Sequence, residues 1–252
     1  MIKIIYEDNE KLIVDKKAGQ LSQSGKGMEP DLVSEVLNYR KRKGEEVYAA
    51  IINRLDRPVA GLVLFAKTKE AAAKYSKEVQ DKGSISKVYE AYVYGKFDCK
   101  KATLTDYLIH DKLNNTSSVW EGDAQDAKEL GTGKNAKELG TGKNAKGFGD
   151  AKEARLDYEV LSYDEATNLT KISVKLHTGR HHQIRVQLAS RGHAIIGDYK
   201  YFQMANEKLG GEAISKETFD GLVRKCKLRR NTIALAAVEL EVDGQKFRTE
   251  LK

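Results

Sequence analysis

The chain has 252 residues, of which 40% are hydrophobic and 32% charged, and 44 Lys and Arg against 37 Asp and Glu leave a net charge of +7. That length supports a substantial core, and the composition excludes a fibrous or wholly disordered chain while leaving one large domain or two small lobes open. The cationic excess favours a polyanionic partner, and the two cysteines, Cys99 and Cys226, have neither a CxxC spacing nor a nearby His at ligand spacing, which argues against a zinc site or a disulfide framework.

In chain order, the N-terminal residues Ile2-Lys3-Ile4-Ile5-Tyr6-Glu7-Asp8 turn acidic before an apolar stretch develops, and no run approaches the length of a membrane span. A cytoplasmic protein without a membrane partner is expected. Short runs rich in Val, Ile, Leu and Tyr at 11–14, 61–66, 88–94, 158–163 and 169–177, bounded by Gly, Asp or Asn, read as strands. In the last, Ile172, Val174 and Leu176 alternate with Lys171, Ser173, Lys175 and His177, the period of a sheet with one buried face. Residues 68–82 read as a helix capped by Thr68, with Ala71, Ala72, Tyr75 and Val79 as its apolar stripe and Gly83 as its stop. The basic run Arg40-Lys41-Arg42-Lys43, like the cationic segment 216–230, fits either a nucleic-acid contact or a solvated helix face. Residues 127–135 recur unchanged at 136–144, and each copy offers one Leu against two Gly, too little apolar surface to stack as a solenoid. The stretch 121–152 is therefore expected to be an inserted low-complexity loop, mobile and tolerant of change, within a single catalytic domain over 1–252.

Three segments place polar groups where a plain core would not. The first is Asn53-Arg54-Leu55-Asp56-Arg57 ahead of the apolar run Gly61-Leu62-Val63-Leu64. A carboxylate between two arginines is expected to stay ionised, and from this segment alone a structural ion pair at a strand start is a better reading than a reactive group. The second is Ser86-Lys87-Val88-Tyr89-Glu90-Ala91, with Tyr89, Ala91 and Val93 sharing one strand face; a tyrosine there packs its ring or stacks on a base. The third is Thr178-Gly179-Arg180-His181-His182-Gln183-Ile184-Arg185, followed by Gly197-Asp198. A strand ending in Thr-Gly-Arg and opening a helix offers backbone N–H groups and Arg180 to a phosphate. Adjacent His181 and His182 on a helix would point apart, which argues against a metal site.

Taken together the segments resemble the RluA family of pseudouridine synthases, whose signature runs Arg-Leu-Asp with a Gly-Leu strand, Lys-x-Tyr, then Thr-Gly-Arg-x-His-Gln-x-Arg and Gly-Asp. Here these are Arg54-Leu55-Asp56 with Gly61-Leu62, Lys87-x-Tyr89, Thr178 to Arg185, and Gly197-Asp198. The departures are Asn53 and Gln187 where His is usual, Lys17 where Pro follows Lys, and Ala236 where His is common. The resemblance implies an α+β fold with a central, mainly antiparallel mixed sheet in two halves, peripheral helices and a basic active-site cleft; alternating strands alone allow other α+β layouts.

It further implies isomerisation of uridine to pseudouridine in rRNA or tRNA by a monomer needing no metal or organic cofactor. Asp56 would be the catalytic carboxylate, through attack at C1′, attack at C6 or a glycal route. Tyr89 would stack on the flipped base and take the C5 proton, and Arg185 would pair with Asp56. Arg54, Lys87, Arg180, His182 and Gln183 would bind the RNA, Arg54 filling the vacated stack or gripping a phosphate. Two other classes share some of these features. A retaining glycosidase would need a second carboxylate about 5 Å from Asp56, and no motif offers one. A noncatalytic RNA-binding or chaperone module would have lost Asp56, Tyr89 or Arg185, and all three are present.

Overall fold

The computed structural model describes residues 2–24, 29–80, 85–122 and 151–251. The body of the repeat, 123–150, lies outside the described residues. The chain divides into two compact units, Met1–Ala91 with Val223–Lys252, and Tyr92–Leu222.

The first unit holds β1 (Lys3–Glu7), β2 (Lys11–Lys16), α1 (Leu32–Arg42), β3 (Ala50–Ile51), β4 (Ala60–Ala66), α2 (Lys69–Gln80), most of β5 (Ser86–Tyr94), β10 (Leu235–Val242) and β11 (Gln245–Arg248). Its strands run in the order β1-β2-β4-β10-β5, antiparallel except for the parallel pair β4/β10, while β3 pairs with β4 and β11 with β10. The core packs Ile13, Leu62 and Leu64 against Tyr75 of α2 and Leu240 and Val242 of β10. As the sequence predicts, Thr68 caps α2, its hydroxyl accepting the Ala71 N–H at 3.1 Å, and Ala71 and Tyr75 are buried. Val79 of the expected stripe is 37% exposed.

Two backbone features place the later chemistry. Gly61 has φ of +116°, and a Cβ on it would lie 2.3 Å from the Ala237 carbonyl oxygen, so only glycine lets β4 approach β10 here. Helix α1 begins at Asp31, whose carboxylate accepts the Ser34 N–H at 2.7 Å. Within the basic run that ends this helix, Arg40 is buried, paired with Glu45 at 3.2 Å and donating to the carbonyls of Lys67 and Tyr48, whereas Lys41, Arg42 and Lys43 face solvent.

The second unit holds the end of β5, β6 (Lys101–Asp111), β7 (Thr116–Val119), β8 (Lys152–Asp164), β9 (Leu169–Leu176), α3 (Gln183–Ala189), α4 (Phe202–Leu209) and most of α5 (Lys216–Lys225). Its strands run β9-β8-β6-β7, every neighbouring pair antiparallel. Strand β8 starts at Lys152, the last residue of the expected loop, and is 13 residues long rather than the six apolar ones read from the sequence. Its first half alternates Glu153, Arg155 and Asp157 with buried Ala154, Leu156 and Tyr158, so charge on the outer face hid the strand from a search for apolar runs. The fold is α+β with a mainly antiparallel mixed sheet, as the resemblance implies.

Candidate active site

In the first unit Asp56 lies in the loop between β3 and β4, half-buried, between Leu55 and Val59, which are 6% and 3% exposed. These apolar neighbours fix the loop to the core, and hydrogen bonds fix the backbone. The Ser22 hydroxyl donates to the Leu55 carbonyl at 2.6 Å and accepts its N–H at 3.2 Å, and the Val59 N–H donates to the Asp56 carbonyl at 3.0 Å. The Gly19 N–H donates to the Arg57 carbonyl at 2.8 Å, answered by Arg57 Nε on the Gly19 carbonyl at 3.1 Å. Asn53, at the position where the family often has His, donates to the Leu62 carbonyl at 3.1 Å and accepts the Leu64 N–H at 2.8 Å, clamping the loop onto β4.

Beneath this loop lies Lys16, fully buried at the end of β2, a residue that motif reading passes over. Its ammonium donates to the carbonyls of Gln20 at 2.8 Å, Lys17 at 3.1 Å and Arg57 at 3.3 Å. Burial pushes it down to about 8, against an opposing upward pull from the Asp56 charge. Tyr89, 7% exposed on β5, feels the same carboxylate: burial first, then the negative charge of Asp56, push its phenol up. Lys87, two residues earlier, has its ammonium pushed down by burial. Of the flanking arginines, Arg54 is exposed, and Arg57 reaches Glu29 at 3.1 Å on the surface.

The second unit carries the Thr-Gly-Arg segment. Here Gln183 organises its own loop: its side-chain oxygen accepts from Thr178 Oγ1 at 2.8 Å and from the Arg180 N–H at 3.0 Å, and its amide donates to the Arg155 carbonyl at 3.1 Å. The Arg180 N–H expected for a phosphate is therefore used within the turn, while the Arg180 side chain is exposed and held by Nε on the Glu153 carbonyl at 2.8 Å. His182 precedes α3 with φ of +54°. That left-handed backbone corrects the expectation that the two histidines point apart, because it turns their rings into a stack at 3.7 Å, with His110 stacked on His181 at 3.9 Å. His181 Nδ1 meets the Ser117 hydroxyl at 2.9 Å, and His182 Nδ1 meets the Tyr201 hydroxyl at 2.7 Å. Burial, reinforced by the charges of Arg185 and its other basic neighbours, pushes His182 down to about 2, so it is neutral.

Arg185 and Asp198 are both buried and form a two-point pair, Nε to Oδ2 at 2.6 Å and Nη2 to Oδ1 at 2.8 Å. A charge pair this deeply buried needs such geometry to offset desolvation. The Gly-Asp of the third motif thus supplies the anchor of its arginine. Gln187, where the family often has a second His, is fully buried and donates to Asp106 at 2.7 Å. The expected residues accordingly fall into two groups: Asp56, Tyr89, Arg54 and Lys87 in the first unit, and Arg180, His182, Gln183 and Arg185 in the second.

A family model described as RNA pseudouridylate synthase matches residues 10–190. The chain belongs to this family. Among its relatives are the RNA pseudouridine synthase YhcT of Bacillus subtilis, 26% identical over 201 residues (79% of this chain, 57% of the relative), and a protein named ribosomal large subunit pseudouridine synthase D in Pseudomonas aeruginosa, 31% identical over 201 residues (79% of this chain, 53% of the relative). The chain spans about half the length of the curated relatives it matches. A solved structure titled human RNA pseudouridylate synthase domain containing 4 shares its fold, with a TM-score of 0.68 at 19% identity over 99% of this chain and 88% of that one. Among the described residues, no helix is long and apolar enough to cross a membrane.

Proposed function

We propose that the protein is an RNA pseudouridine synthase that isomerises specific uridines in structured RNA, with Asp56 as the catalytic carboxylate acting on a flipped-out nucleotide. The observation that carries this reading is the nearness of the Asp56 carboxylate, in a loop pinned by Lys16, to the buried Tyr89, whose phenol its charge pushes up. The name of the Pseudomonas aeruginosa relative favours ribosomal RNA over transfer RNA as substrate.

The reaction breaks the N1–C1′ bond, turns the uracil, joins C5 to C1′, moves the C5 proton off the base and leaves a proton on N1. Asp56 provides the nucleophile or the charge that stabilises the separated sugar, and the Tyr89 ring packs against the base. The Asp56 charge is one of the two causes that keep the proton on Tyr89. Consuming that charge in a covalent bond makes the phenolate less costly, so Tyr89 can pass its proton to N1 of the released uracil anion and, as phenolate, take the C5 proton once C5 has joined C1′, which returns it to the phenol. Arg54, exposed two residues before Asp56, fills the vacated stack or grips the displaced backbone, and Lys87 and Arg180 serve the phosphates. Arg185 supplies the third member of the catalytic set. His182 and Gln183 act on the RNA through the shape they give the Arg180 loop. All these groups are side chains of the chain itself, and the proposed steps call for no added cofactor.

The test is to incubate the protein with ribosomal and transfer RNA from cells lacking its gene, then map carbodiimide-modified pseudouridine by reverse transcription. A new stop at one or a few uridines in one RNA class is expected. RNA left without new stops would refute the proposal.

A further inference from the structure

The proposed reaction needs its arginine held in one orientation, and the Asp198 pair holds the Arg185 guanidinium along one edge. A side chain outside the proposed catalytic set lies with its ring beneath the guanidinium carbon. The Tyr201 ring sits with its centroid 5.0 Å from the guanidinium carbon and is 3% exposed. Its hydroxyl accepts the Ser117 N–H at 2.9 Å, which leaves the hydroxyl proton for His182 Nδ1 at 2.7 Å. That bond requires His182 to keep a lone pair on Nδ1, in agreement with the burial that holds this imidazole neutral. His182 lies edge-on to the Tyr201 ring, at 5.5 Å and 88°. Tyr201 is also tied to Asp198 along the chain, its N–H donating to the Asp198 carbonyl at 3.2 Å. One short segment, 198–201, therefore presents a carboxylate to the edge of Arg185 and an aromatic face to its guanidinium carbon, while the tyrosine hydroxyl braces the residue that precedes α3 and the strand β7.

We propose that Tyr201 is a positioning residue for Arg185, its ring restraining the guanidinium from the face as Asp198 restrains it from the edge. The proposal rests on the reading of Arg185 as a member of the catalytic set. A buried cation over a ring gains from the ring's negative face, and a guanidinium gains more than an ammonium because it stacks flat. Losing the face contact leaves the two-point pair intact but lets the plane tilt about it. A displacement of about 1 Å in a reacting constellation costs on the order of a hundredfold in rate.

The experiment compares Tyr201→Phe and Tyr201→Met with wild type in pseudouridine formation. A pentafluorophenylalanine at 201 is added because it keeps the ring's shape while removing its negative face, so the fold is preserved if the Met variant does not fold. The Met and pentafluoro variants should lose about tenfold or more in kcat, with KM within about twofold of wild type. Tyr201→Phe should recover most of the loss. An unchanged kcat in the pentafluoro variant, a loss confined to KM, or a Phe variant as slow as the Met variant would overturn the proposal. The Arg185 Nε–H resonance in ¹⁵N spectra, assigned with Arg185→Lys, gives a readout independent of turnover. It should carry a ring-current shift that persists in Tyr201→Phe and disappears in Tyr201→Met; a resonance indifferent to the Met change overturns the positioning role whatever the activity. Should the shift behave as expected while wild-type protein converts no uridine, the positioning stands and the pseudouridine reading falls.

Discussion

An ammonium withdrawn from water and set near a carboxylate defines the chemistry of Lys16. Burial lowers its pKa to about 8 from 10.5 in the unfolded chain. Between those values the unfolded state binds the extra proton, so this lysine's contribution to stability rises with pH across that window. Lys16→Met removes the titration and takes the ammonium from three carbonyls, of which that of Arg57 keeps the Gly19 N–H and that of Lys17 the Gln20 N–H. The variant should be less stable by about 1–3 kcal/mol at pH 7. Its deficit relative to wild type should widen between pH 8 and 10, by at most about 1.4 kcal/mol per pH unit. Urea unfolding at a series of pH values measures both, and a gap independent of pH would contradict the buried, depressed lysine. At this scale Asp56, Tyr89 and Arg185 could be singled out as candidates in the sequence because each sits in a short motif of unusual residue types. Lys16 and Tyr201 were not, because their meaning lies in partners far along the chain, Lys16 with Arg57, 41 residues away, and Tyr201 with Ser117, 84 residues away, while Asp198 stood out in its Gly-Asp motif but not as the partner of Arg185.

At the scale of elements, the parallel contact of β4 with β10 depends on Gly61, one residue before the first leucine of the strand that follows the Asp56 loop. Gly61→Ala sets a methyl against the Ala237 backbone at a positive φ, so one strand must move. A destabilisation of about 3 kcal/mol is expected, with a larger effect on the Asp56 loop than on the second unit. Hydrogen exchange would show it as faster exchange in β4 and β10, and unchanged protection there would mean the close approach is not needed. Strands with clean apolar runs, and α2 with its Thr68 cap, were readable because local pattern and tertiary burial agree. The first half of β8 and the turn of His182 were not. Charged residues line the outer face of β8, and nothing local announces that a histidine will take a left-handed conformation to stack on its neighbour.

Across the whole molecule, ion pairs join elements distant in sequence. Asp243, after β10, binds Lys11 at 2.8 Å, Lys74 at 3.0 Å and the Tyr75 hydroxyl at 2.9 Å. Burial alone would raise its pKa, but these partners outweigh it and hold the carboxyl at about 2. Because that value lies below the unfolded one, the stabilisation is fully present above pH 4 and is lost as pH falls through about 2. Asp243→Asn should cost about 1–2 kcal/mol at pH 7, discounted for partial exposure, and the difference from wild type should vanish near pH 2. Acid titration of unfolding monitored by circular dichroism tests this, and a deficit that persists at pH 2 would contradict it.

One carboxylate in a pinned loop carries the proposed reaction, and tritium release from RNA labelled with [5-³H]uridine tests it most directly, since joining C5 to C1′ must expel the C5 hydrogen. Wild-type protein should release tritium from RNA of cells lacking the gene, and Asp56→Asn, folded to the same thermal midpoint, should release none above background. Release by the Asn variant at the wild-type rate would contradict the assignment of Asp56.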